Sequence, residues 1–168
     1  MALPQATVPA LVLPGGSISI GLEALARLEH LVGGVADKPD LDNRTEIRNL
    51  VVSFYREVVF DELLGPVFGE VAEVDWSTHI PKLIDYWCRV LLNQPGYDGY
   101  ILGPHERVHS LEAFRPELFD RWYLLFAMSV DGGWRGPMAE KAKAHAARMA
   151  AMLARKLTGL NWEVPSPV

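Results

Sequence analysis

Pro104-His105-Glu106-Arg107-Val108-His109-Ser110-Leu111, running on to Phe119-Asp120-Arg121-Trp122-Tyr123-Leu124-Leu125-Phe126, holds two histidines at i and i+4. On a helix that spacing presents both imidazoles on one face. The string His105-Glu106-Arg107-Val108-His109 is also a literal H-E-x-x-H. In a zinc hydrolase two such imidazoles bind the metal, and the glutamate acts as general base on the bound water. A catalytic zinc needs a third protein ligand as well. The residues at the third and sixth positions after His109 are Glu112 and Arg115, not the Gly and His of one zincin pattern. Glu117, Asp120 and Glu140 are the nearest later acids, and none stands in a recognisable motif. Zinc hydrolysis stays open here only as a minor alternative.

Outward from this stretch, the 168 residues suffice for one domain with a substantial core. A composition of 49% hydrophobic and 22% charged residues is that of a globular protein. The net charge of −5 and the lack of a basic patch argue against a nucleic-acid partner. No run is long and apolar enough for a membrane span. Cys88 is the one cysteine, so an internal disulfide is excluded and a reducing cytoplasm is the expected location. Residues 1–22 carry no charge, but they lack a basic start, and Pro4, Pro9, Pro14, Gly15 and Gly16 interrupt them.

Helical spacing recurs along the rest of the chain, and no segment alternates with period two for long. Ile18, Leu22, Leu25, Leu28 and Val32 outline a short helix within 17–32, and residues 35–42 read as a linker. Asn43 followed by Glu46 resembles a capping box, ahead of a stripe of Ile47, Leu50, Val51, Phe54, Tyr55 and Val58. Leu63 to Phe68 reads as a turn with large apolar anchors. A helix then begins near Asp75 or Thr78, with Pro81 in its first turn if Thr78 is the cap. Asn93 to Gly103 is rich in turn formers, so the two histidines fall on an irregular middle connection. Pro116 opens a helix that Asp131-Gly132-Gly133 ends, and Pro137 opens a last helix that stops at Gly159. The class is all-α.

An alternative to zinc is an iron porphyrin, which needs one axial imidazole and a large apolar slot. Trp76, Trp87, Trp122, Phe54, Phe68, Phe119, Leu83, Leu125 and Phe126 would furnish the slot, though a self-packed core would use the same residues. Ordered motifs decide between these readings. They are Phe54-Tyr55-Arg56, Leu64-Gly65-Pro66-Val67-Phe68, Asp75 to Pro81 with Asp85-Tyr86-Trp87, Gly96-Tyr97-Asp98-Gly99, and Val108-His109 with Phe119-Asp120-Arg121-Trp122. Together they resemble the group III truncated haemoglobins, the step from His109 to Trp122 among them.

The resemblance implies a two-over-two helical sandwich around haem b over residues 42–160, with 1–41 an unmatched extension and 161–168 a loose tail. It makes His109 the proximal iron ligand and leaves His105 at the haem rim or in solvent. Tyr55 and Trp122 would donate to the bound ligand, with His79 at the distal entrance. Phe68, Leu83 and Trp87 would contact the macrocycle, and Lys82 and Arg107 its propionates. The implied function is reversible binding of O₂, NO or a small anion. A redox enzyme, peroxidase-like or NO-oxidising with an external reductase, is the alternative. Residues 1–41 are a candidate oligomer contact.

Overall fold

The structure is a computed structural model that describes residues 38–166. The arm and the short helix expected within residues 1–32, and any oligomer contact through residues 1–37, lie outside the described residues.

Asn43 stands in extended backbone, and its Oδ1 accepts the N–H of Glu46 at 3.0 Å, which starts helix α1, Arg44–Phe60. Only half of the expected capping box forms. The Glu46 carboxylate reaches across the fold instead and accepts the indole N–H of Trp134 at 2.8 Å. The apolar stripe is buried as its spacing requires: Ile47, Leu50, Val51, Phe54, Tyr55 and Val58 all face the core. A π-helical turn, Val67–Val71, follows. Gly65 is needed ahead of it, because a Cβ there would lie 2.9 Å from the backbone oxygen of Val59.

Helix α2, Trp76–Leu92, is capped by Asp75, whose carboxylate accepts from Ser77 N–H, Ser77 Oγ and Thr78 Oγ1. Pro81 therefore sits in the interior of the helix and not in its first turn. Helix α3, Leu102–Leu111, replaces the irregular connection expected around the histidines. It buries no residue, so it offered no apolar stripe to read. Pro116 and Pro137 each begin a helix as expected: α4, Pro116–Gly133, and α5, Pro137–Thr158. Gly159 ends α5 at φ +73°, in the left-handed region.

Helix α1 packs on α2 and on α4, and α4 packs on α5, giving two crossed layers of two helices. The contact face of α5 is a row of small residues, Ala139, Ala142, Ala146, Ala150 and Ala154, which lets neighbouring backbones approach closely. Phe54 is among the largest fully buried side chains and meets Tyr55, Trp122 and Phe126 edge-on. Truncating such a ring to Ala costs roughly 3–5 kcal/mol. No described helix is long and apolar enough to cross a membrane.

Both ends of the domain are tied more closely than the sequence suggested. Leu41 is fully buried, and Asp40 accepts the N–H groups of Met138 and Ala139 at 3.0 and 2.8 Å, capping α5 from a residue distant in sequence. The packed unit thus includes residues before 42. The tail is not loose at its start: Trp162 is buried and donates its indole N–H to Asp120 at 2.7 Å.

Candidate functional site

Between the two layers lies a cavity of about 750 Å³. Tyr55 from α1, Phe68 from the π-helical turn, His79, Leu83 and Trp87 from α2, and Trp122 from α4 all line it. Lys82 and Arg107 line it too, and both are exposed side chains. The cavity accounts for a peculiarity of burial. Phe68, Leu83, Val108, Phe114 and Trp122 are large apolar groups that remain partly accessible because they face this space.

The two histidines of α3 divide. His105 lines the cavity; His109 does not. Nδ1 of His105 lies 2.8 Å from the carbonyl oxygen of Ile101, one turn earlier. A neutral imidazole so placed donates from Nδ1 and leaves Nε2 as its acceptor. Burial pushes the His105 pKa below its usual value, and the Ile101 carbonyl opposes the shift. His109 has the converse arrangement. Its Nδ1 accepts the backbone N–H of Phe114 at 2.9 Å, and its ring meets Phe114 edge-on, which closes the turn after α3. The expectation that His109 faces the cavity, with His105 at the rim or in solvent, is reversed. A helix this short, with its C-terminal end at Leu111, puts a histidine near that end within reach of the following backbone.

His79 faces the same space. Burial chiefly, then the nearby charges of His105 and Lys82, lower its pKa. The cavity therefore has one imidazole on its α2 wall and one on its α3 wall, electrostatically aware of each other. The zinc reading of His105 and His109 loses its basis. Among the described residues no group of three or more His, Cys, Asp or Glu side chains is placed to hold a metal ion.

Tyr55 is buried among Phe54, Phe68, Trp76 and His79, with ring centroids 4.8 to 6.0 Å away. Burial raises its phenol pKa far above the usual value, and a hydrogen bond with the Trp122 side chain partly opposes this. Tyr55 and Trp122 both line the cavity, one with a hydroxyl and the other with an indole N–H that can only donate. Trp122 also stacks on Phe126 at 5.6 Å, and Phe126 on Trp87 at 4.9 Å.

The pairing of two positioning residues carried no signal in the sequence. The Asp61 carboxylate accepts the N–H groups of Leu63 and Leu64 and pairs with Arg121 at 2.6 Å. Burial alone would raise its pKa, but these donors outweigh it and hold the carboxyl below the ordinary range. The turn that delivers Phe68 is thereby fixed to the helix that delivers Trp122. Such partners lie far apart in the chain, and only the fold brings them together.

No family model matches the chain. The group 3 truncated hemoglobin ctb of Campylobacter jejuni is 32% identical over 92 residues, which span 53% of this chain and 70% of that protein. The crystal structure of the group III truncated hemoglobin from the same organism superposes with a TM-score of 0.63 at 28% identity, covering 71% of this chain and 94% of the other. The fold is that of a globin. The chain belongs to the group III truncated haemoglobins.

Proposed function

We propose that the chain is a haem protein that binds O₂, NO or a small anion at an open iron position, with His105 as the axial ligand. The observation that carries the proposal is that His105 lines the cavity with Nδ1 committed to the Ile101 carbonyl, opposite an α2 wall bearing His79. A backbone acceptor on Nδ1 fixes the tautomer and ring orientation and raises the basicity of Nε2, as metal-bound histidines require. Burial favours the neutral ring that iron needs.

The remaining walls suit a porphyrin. Phe68, Leu83, Val108 and Trp87 offer apolar contact to a flat macrocycle. Lys82 and Arg107, exposed on the lining and in no ion pair among the described residues, would meet its propionates. Cys88 is the one cysteine and is buried away from the lining, which suits a haem held without thioether links, such as haem b. A free, buried Cys88 also suits a reducing cytoplasm.

Haem supplies the iron at which the ligand binds. The protein's part lies in what surrounds that ligand. Tyr55 and Trp122, both on the lining, offer an O–H and an indole N–H to negative charge on the ligand. His79 lies at the same wall and is neutral at pH 7, able to donate one proton or hydrogen bond from its N–H. Charged hydrogen bonds in a dry pocket favour slow release, which suits a scavenger, a sensor or a redox protein better than a carrier.

The test is titration of the purified protein with hemin, followed by dithionite reduction with and without CO. A Soret band that saturates at one hemin per chain and shifts on adding CO is expected. A protein that binds no hemin would overturn the proposal.

A further inference from the structure

On the same cavity wall, the ligand-binding reading leaves one pair unused. Tyr86 of α2 lines the cavity and is buried, and its hydroxyl lies 2.5 Å from Nε2 of His145 on α5. Met149 Sδ, also on the cavity lining, is 3.4 Å from the same hydroxyl. The His145 ring is half-buried and packs edge-on against Trp87, a further lining residue, at 5.6 Å. On its other side Tyr86 meets Tyr97 at 5.2 Å, and Tyr97 is half-buried in the connection between α2 and α3.

We propose that Tyr86 and His145 form an electron–proton relay through which hydrogen peroxide, reacting at the haem, oxidises small one-electron donors such as phenols. The proposal rests on the haem reading above.

A phenol side chain can be oxidised near neutral pH only if its proton leaves with the electron, so a base must already touch the hydroxyl. Tyr86 has that base within hydrogen-bond reach. Burial, and next the charge of Tyr97, push the Tyr86 pKa up to about 12, so the phenolate is not a resting state. Burial first, then Arg148 and Lys141, lower the His145 pKa, so the imidazole is neutral and Nε2 can accept.

Hydrogen peroxide takes two electrons and two protons and leaves as two waters. Tyr86 gives one electron toward the haem, its O–H bond breaks, and the proton passes to Nε2 of His145. The products on the protein are a neutral phenoxyl ring and an imidazolium. An external phenol then returns an electron to Tyr86 by way of Tyr97, and His145 returns the proton. A second phenol supplies the other electron, so two phenols become two phenoxyl radicals and two protons replace those consumed.

The test uses the hemin-loaded full chain, mixed with hydrogen peroxide and freeze-quenched for electron paramagnetic resonance. Protein carrying ring-deuterated tyrosine separates tyrosyl from tryptophanyl radicals. A tyrosyl signal that narrows on deuteration and is lost per bound haem in Tyr86→Phe is expected. His145→Gln keeps a polar side chain but cannot take the proton, and should slow phenol turnover about 100-fold. An undiminished tyrosyl signal in Tyr86→Phe, or wild-type turnover in His145→Gln, would overturn the relay. Hemin uptake without any tyrosyl signal overturns the relay alone, whereas no hemin uptake overturns the haem reading together with it.

Discussion

Nδ1 of His105 faces the carbonyl oxygen of Ile101 at 2.8 Å, one turn back along the same short helix. That contact sets which ring nitrogen is available to the cavity. His109, four residues on, spends Nδ1 on the N–H of Phe114. Its role is to close a turn. His109→Ala should therefore keep full hemin uptake and lose about 1 kcal/mol of stability for the unpaired Phe114 N–H. Hemin titration and urea unfolding of the variant check both parts.

Tyr55 and Trp122 both line the cavity, and each carries a donor that can reach a bound ligand. Tyr55→Phe should speed O₂ dissociation by about 10- to 100-fold, the worth of one hydrogen bond to a charged acceptor. Trp122→Phe should act in the same direction, and the two effects should multiply in the double variant. Stopped-flow dissociation no faster in the double variant than in Tyr55→Phe would show that Trp122 acts only through Tyr55.

The apoprotein should weaken in acid through its histidines. The folded-state pKa of His145 lies below the ordinary 6.5, mainly through burial. As the pH falls the unfolded chain takes the proton first. The contribution is whole above 6.5 and is lost as the pH falls toward the folded-state value. His79 and His105 are shifted the same way. Urea midpoints should fall between about pH 7.5 and about pH 5.5. His145→Gln should flatten that fall without abolishing it, and an unchanged slope would remove His145 from the account.

Asp40 caps α5 across the fold, and Asp40→Ala should cost about 1 kcal/mol. Gly136→Ala should cost at least as much. Its φ of +139° is foreign to other residues, and a Cβ there would meet the Asp40 carboxylate at 2.5 Å. Because both changes strike the same cap, thermal unfolding of the double variant should show less than the sum of the two losses.

What the sequence disclosed, and what it hid, follows from where each signal resides. Helices α1, α4 and α5 carry buried stripes with Asn43, Pro116 and Pro137 at their starts, and these are local features. Helix α3 carries no buried stripe, because part of its inner face borders the cavity. The sequence pattern there is that of an irregular connection, and it holds no information on how the two histidines are oriented. Tyr55, Phe68, His79, Lys82, Leu83, Trp87, Arg107 and Trp122 all line the cavity. The choice between His105 and His109 depends on how the helix ends and on a backbone N–H at Phe114, neither of which has a signature in residue types. The ties made by Asp40, Asp61 and Trp162 are likewise products of the assembled fold.

The most direct measurement is the absorption spectrum of hemin-titrated, dithionite-reduced His105→Gly and His109→Gly, each with and without added imidazole. With His105 as the axial ligand, His105→Gly loses the wild-type spectrum and regains it with imidazole, while His109→Gly keeps it throughout. The opposite pattern, with His109→Gly spectrally impaired and rescued by imidazole and His105→Gly unaffected, would contradict the assignment.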